Sequence, residues 1–122
     1  MADTTQLPHT HDARLENAAA RLPETNDFRE ASDIFKLLGD ASRLKIFWLL
    51  CHGEECVINI AALMGMSSPS VAHHLKILKM SGLIESRREG KEVFYRADMT
   101  KARVATLHSF VEKLMRICCP QN

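Results

Sequence analysis

Two groups of residues in this chain have types and spacings that could do chemistry. The first lies in MSSPSVAHHLKILKMSG, Met66 to Gly82. Val71, Leu75, Leu78 and the flanking Ile77 recur at roughly 3.6-residue period, which predicts a helix with one buried face. Ser68 is expected to cap it, with Pro69 at the first helical position, and Gly82 to end it. The other face carries Ser67, Ser70, His73, His74, Lys76 and Lys79, donors or cations throughout, with no carboxylate among them. Such a face suits phosphates and base edges, so Ser67, Ser68, Ser70, Val71, His73, His74 and Lys76 form the expected DNA-contact set of this helix. The second group is the thiols Cys51, Cys56, Cys118 and Cys119. The polar start MADTTQLPHTHDAR resembles no secretory signal, so a cytoplasmic, reducing location is expected, with the cysteines as thiols or metal ligands rather than disulfides. Cys51, at the end of an apolar helix, reads equally well as a small buried hydrophobe.

The elements that must position these residues follow from patterning. With 122 residues, 46% of them hydrophobic, the chain can build one modest core. No apolar run approaches the ~20 residues of a membrane span. A polar arm over residues 1–14 precedes one domain over residues 15–119. Leu15 to Leu22 has short-helix spacing, and Asp27 is expected to cap a stronger helix carrying Phe28, Ala31, Ile34, Phe35 and Leu38 as far as Gly39. Asp40 starts a third, so densely apolar from Leu44 to Leu50 that it must be central. EECVINIAALMGM, from Glu54, is expected as a further short helix joined to the basic one by a tight turn at Gly65, which makes a helix-turn-helix.

After Gly82 the period changes from 3.6 to 2, predicting a β-hairpin with the tip RREGK turning at Glu89-Gly90. A hairpin directly after a recognition helix is a wing, which adds Arg87, Arg88 and Lys91 to the DNA-contact set. The charge distribution agrees: residues 1–33 hold three arginines against seven carboxylates, whereas Ser67 to Lys91 holds five cations against two. A last amphipathic helix, Thr100 to Ile117, carries Val104, Leu107, Val111, Leu114 and Met115. It and the helix near residue 30 are more apolar than a small monomer can bury. Pairing them across a two-fold axis predicts a homodimer on an imperfectly palindromic double-stranded operator. The fold class is therefore mainly α with one β-hairpin, a homodimeric winged helix-turn-helix. No Gly-rich phosphate loop, nucleophile elbow or paired carboxylate in an apolar context suggests an enzyme.

LGDASRLKIFWLL, EECVINIA, SPSVAHHLKILKMSGLI and RREGKEVFYR, in that order and spacing, are similar to the ArsR/SmtB family of bacterial metal-sensing repressors over residues 28–115. The resemblance implies a dimeric repressor that leaves its operator when a metal ion or other thiophilic inducer binds. Arsenic, cadmium and lead sensors of the family resemble E-L-C-V-C-D where this chain has Glu54, Glu55, Cys56, Val57, Ile58 and Asn59, so one cysteine is kept and the other is Ile58. The zinc pattern of the last helix falls on Met99, Lys101, Glu112 and Met115 and is not reproduced. His108 and Glu112, four apart, could form a variant, although an exposed pair of this kind is ordinarily solvated. His52 has no motif context.

Cys56 is therefore the expected sensing ligand, because thiolates bind soft cations tightly and a helix N-terminus favours the thiolate. Cys51 lies five residues earlier, across the Gly53 turn. His9 and His11 of the arm could join it, as arm residues do in cadmium-sensing relatives, and Cys118 and Cys119 are a third source. Thiol-rich ligation favours Cd²⁺, Pb²⁺, Cu⁺ or trivalent arsenic, and added histidine moves the preference toward Zn²⁺. A thiol-redox or persulfide-responsive repressor of the same fold is the alternative, with Cys56 or Cys51 linked to Cys118 or Cys119.

Overall fold

A computed structural model of the protein describes residues 7–9 and 11–116. Among the described residues the order is α1 (Arg14–Ala20), α2 (Thr25–Leu38), α3 (Ala41–His52), β1 (Glu55–Cys56), α4 (Val57–Met64), α5 (Ser68–Met80), β2 (Glu85–Glu89), β3 (Glu92–Arg96) and α6 (Ala102–Met115). They divide into two units, one up to Asp33 and one from Ile34.

In the first unit α1 buries none of its residues, and Asp27 has a different task from the expected one. Helix α2 begins at Thr25, and the Asp27 carboxylate sits in its first turn, accepting the Glu24 N–H at 3.2 Å. Asp27 is thus the residue that reaches back to the cap rather than the cap itself.

The second unit has one core. Ile46, Phe47 and Leu50 of α3, Ile60 and Ala61 of α4, and Val71, Leu75 and Leu78 of α5 pack with Leu83, Ile84, Ala97 and Val104. Helix α3 is central, as its density of apolar residues predicts, and Asp40 caps it by accepting the Arg43 N–H at 2.9 Å. The sheet has three strands rather than the expected two, in the antiparallel order β1-β3-β2. Glu55 and Cys56, expected inside a helix, are extended because they pair with Tyr95 and Phe94, a partnership that no local pattern encodes. The Ala97 N–H donates to the Leu50 carbonyl at 3.0 Å and fastens the end of β3 to α3.

Helix α6 turns Val104, Leu107 and Val111 of its predicted apolar set inward, and two residues outside that set, His108 and Glu112, join them. Val104, His108, Val111 and Glu112 are buried, whereas Leu114 and Met115 are 66% and 44% exposed. Phe110 also remains exposed and meets the exposed Phe35 edge to face, with ring centroids 6.4 Å apart. No described helix is long and apolar enough to cross a membrane.

Candidate nucleic-acid interface and metal cluster

Helices α4 and α5 are joined through Gly65, Met66 and Ser67. Gly65 adopts φ +64°, a left-handed conformation that costs a residue with a Cβ, and the Met66 N–H returns to the Ala61 carbonyl at 3.1 Å. Ser67, not Ser68, is the N-cap of α5: its hydroxyl accepts the Ser70 N–H at 3.3 Å. The shift is cheap because Pro69 then stands second in the helix, where its missing N–H still has no intrahelical acceptor to lose. The Ser67 hydroxyl also donates to Ser70 Oγ at 3.0 Å, which leaves the Ser70 O–H to donate outward. At the other end the Gly82 and Leu83 N–H groups close on the Lys79 and Leu78 carbonyls at 3.0 and 3.2 Å.

Burial divides α5 into two faces. Val71, Leu75 and Leu78 are at most 1% exposed, while Ser68, Ser70, His73, Lys76 and Lys79 are exposed. Val71 therefore leaves the expected contact set: its side chain fills the core and has no surface for DNA. His74 is half-buried, and its Nδ1 is enclosed with no hydrogen-bond partner among the described residues. It lies near the cap of α3, where the Arg43 N–H chiefly, and the His74 charge to a lesser degree, hold the Asp40 carboxyl below its ordinary value.

The wing turns through Gly90 and Lys91 rather than Glu89 and Gly90. Glu89 pairs with Glu92, and Gly90 supplies φ +60° at the first loop position, as two-residue hairpins of this class require. Arg88 and Lys91 are exposed. Arg87 is engaged within the protein: its guanidinium donates to both Glu54 carboxylate oxygens at 2.6 to 2.9 Å and to Glu89 at 2.9 Å, and lies 4.9 Å from the Phe94 ring centre. The same hydrogen bonds hold the Glu54 carboxyl below its ordinary value.

A second constellation joins the C-terminal end of α3 to α6. His52 Nε2 and His108 Nε2 are 3.1 Å apart, and Glu112 Oε2 lies 3.8 Å from the first and 3.4 Å from the second. The Trp48 indole N–H donates to the same carboxylate oxygen at 3.1 Å. His108 and Glu112 are 7% and 8% exposed, so the pair is not the solvated one that helical spacing alone suggests. Burial holds the His52 imidazole below its ordinary range, His108 adds to that effect and Glu112 opposes it. Two imidazole nitrogens and a carboxylate converging in this way can share protons or hold a cation.

Known proteins resemble this chain in sequence and fold. Residues 40–86 match the profile of the bacterial regulatory protein, arsR family. A cadmium resistance transcriptional regulatory protein CadC homolog of Staphylococcus aureus is 33% identical over 97 residues, 79% of either chain. The chain belongs to the ArsR family. A transcriptional repressor SmtB homolog of Synechocystis is 31% identical, covering 72% of this chain and 67% of that one. A homodimeric winged helix-turn-helix DNA-binding domain from Mycobacterium bovis has a TM-score of 0.64 at 32% identity, covering 87% of this chain and 88% of that one. This ArsR-family chain is thus a winged helix-turn-helix regulator of transcription, a DNA-binding protein rather than an enzyme.

The ligands expected from the sequence of this ArsR-family chain have separate fates. Cys56 is 8% exposed at the N-cap of α4, beside the Glu55 carboxylate. That carboxylate is held below its ordinary value by the Cys56 backbone N–H first, then by the Asn59 amide, with the thiol a lesser contributor. Cys51 is half-buried against the core. His9 and His11 belong to the first unit, where their rings stack at 6.1 Å. Cys118 and Cys119 lie outside the described residues. Among the described residues, the one group of three or more histidines, cysteines or carboxylates whose ligand atoms converge is His52, His108 and Glu112, within 4.8 Å of one another. Sequence reasoning missed His52 and Trp48. The available signal was His108 itself, which stands four residues after Val104 and three before Val111 on the inward stripe of α6.

Proposed function

We propose that this chain is an operator-binding repressor that works as a homodimer in the cytoplasm, reads an imperfectly palindromic duplex with α5, and is released when a metal ion binds. The observation that carries the reading is the division of α5: one face fills the core, and the other exposes Ser68, Ser70, His73, Lys76 and Lys79 beside a wing whose Arg88 and Lys91 are exposed. Lysines and wing cations suit phosphates, and the exposed Ser70 and His73 have the donor and acceptor chemistry that suits base edges. The exposed apolar residues of α2 and α6, Phe35, Phe110, Leu114 and Met115, support pairing of two copies, and the homodimeric relative supports the same. Release by metal is supported by the cadmium-resistance relative.

The test is selection of a preferred duplex from a random pool, followed by anisotropy titration with and without Cd²⁺, Pb²⁺, As(III) and Zn²⁺, repeated with Cys56→Ser. Preference for a near-palindrome, lost by at least tenfold with one of these ions, is the expected result. Uniform binding to all sequences would overturn the operator reading. A preference that no ion weakens tenfold would overturn the inducer reading, and release by oxidant with rescue by dithiothreitol would replace it with thiol chemistry.

A further inference from the structure

We propose that His52, His108 and Glu112 form a cation site for a borderline divalent ion of the Zn²⁺, Co²⁺ or Ni²⁺ class, chemically distinct from the thiol set around Cys56. The geometry of the donor atoms carries it. His52 Nε2, His108 Nε2 and Glu112 Oε2 make a triangle with sides of 3.1, 3.4 and 3.8 Å. Its circumscribed circle has a radius of about 2.0 Å, so an ion about 2.0–2.1 Å from all three, the usual zinc bond length to nitrogen and oxygen, fits in or just above their plane. A regular zinc tetrahedron places its donors roughly 3.3 Å apart, close to the mean side of this triangle. No rearrangement of the two helices is needed.

The donor set selects the metal. Two imidazoles and a carboxylate are harder than thiolates, so Cd²⁺, Pb²⁺ and trivalent arsenic gain little here. The Trp48 indole N–H on Glu112 Oε2 supplies the outer-shell hydrogen bond that fixes a carboxylate ligand. His52, the most accessible of the three, lines a cleft with Gly53, Glu54 and Glu55, which provides a way in past two carboxylates. Three protein ligands leave the fourth position for water.

An ion so held would tie α3 to α6. Helix α3 packs in one core with α5, the helix that presents the donor face, while α6 carries exposed apolar residues suited to a second copy. Occupancy therefore bears on how the reading helix is set relative to the dimer, a consequence that rests on the repressor reading; ion binding itself does not.

Trp48 is the chain's single tryptophan and touches the site directly, so its fluorescence reports occupancy without DNA. Full-length protein is titrated with Zn²⁺ and with Co²⁺, following tryptophan emission and the visible Co²⁺ spectrum, with equilibrium dialysis for stoichiometry. One ion per protomer, a saturable change in emission and a Co²⁺ spectrum of nitrogen and oxygen ligation are expected. Cys56→Ser should leave all three unchanged. His52→Gln and Glu112→Gln, both able to keep hydrogen bonds at their positions, should each weaken binding by more than the ~10–100-fold that loss of an outer-shell partner costs. Absence of stoichiometric binding, or binding lost in Cys56→Ser and kept in His52→Gln and Glu112→Gln, would overturn the site and leave the cluster a hydrogen-bond network. Operator titration with the same ions is a separate arm: saturable binding without change in DNA affinity would sustain the site and refute its regulatory role.

Discussion

Glu54→Gln should strengthen DNA binding and steepen its salt dependence, because Glu54 holds back a wing cation. Arg87 belongs to the first strand of the wing, yet both Glu54 oxygens and Glu89 occupy its guanidinium donors. Its neighbours Arg88 and Lys91 are exposed. The counterion-release slope changes by about 0.9 for each phosphate contact on duplex DNA. Freeing Arg87 therefore adds up to about 0.9 per protomer, or about 1.8 for a dimer, to the slope of log K against log salt. Between 50 and 200 mM salt that difference amounts to roughly 12-fold. Glu89 keeps part of its hold, so this is the upper value. The term is independent of sequence, so anisotropy on an arbitrary 30-base-pair duplex over this salt range suffices. Arg87→Ala should barely change the wild-type slope and should cancel the gain in Glu54→Gln. If Glu54→Gln leaves the slope unchanged, or Arg87→Ala alone lowers it by the full amount, the idea of an internally restrained wing arginine is refuted.

Other consequences can be checked independently. Lys76→Ala should weaken binding to all duplexes alike and flatten the salt slope by about 0.9 per protomer, whereas His73→Ala or Ser70→Ala should relax discrimination between selected and random duplexes, read from the ratio of affinities. Ser67→Ala removes the hydroxyl that accepts the Ser70 N–H, at a cost of about 0.5–2 kcal/mol; Ser68→Ala, one residue on, should cost far less, and urea titration separates the two. The Asp40 carboxyl is lowered in the folded chain, so its contribution to stability is complete above the unfolded value of about 3.9 and is lost as pH falls through the folded value. Asp40→Asn should thus lower the urea midpoint from about pH 6 to 8, where that contribution is complete, and make the fall below about pH 4 shallower, because less is left to lose. Leu75→Ala, at a site 1% exposed, should cost about 2–5 kcal/mol through the cavity it leaves.

By itself the sequence determined the elements whose cause is local. The periodicity of Val71, Leu75 and Leu78 requires a helix with one buried face, Asp40 caps α3, Gly65 turns between α4 and α5, and the alternation after Gly82 makes a hairpin. The donor-rich face of α5 is legible for the same reason, since a helix 3.6 residues per turn places Ser70, His73 and Lys76 opposite the core once the core is known. What only the tertiary structure decided depends on partners distant in the chain. Cys56 is extended because Phe94, thirty-eight positions away, pairs with it. Arg87 is occupied because folding brings Glu54 to it. His52 has no motif around it and acquires a chemistry only when α6 delivers His108 and Glu112 to the end of α3. Periodicity reports which residues share a face of one element; convergence of side chains from two elements depends on how those elements pack, and packing is a property of the whole core.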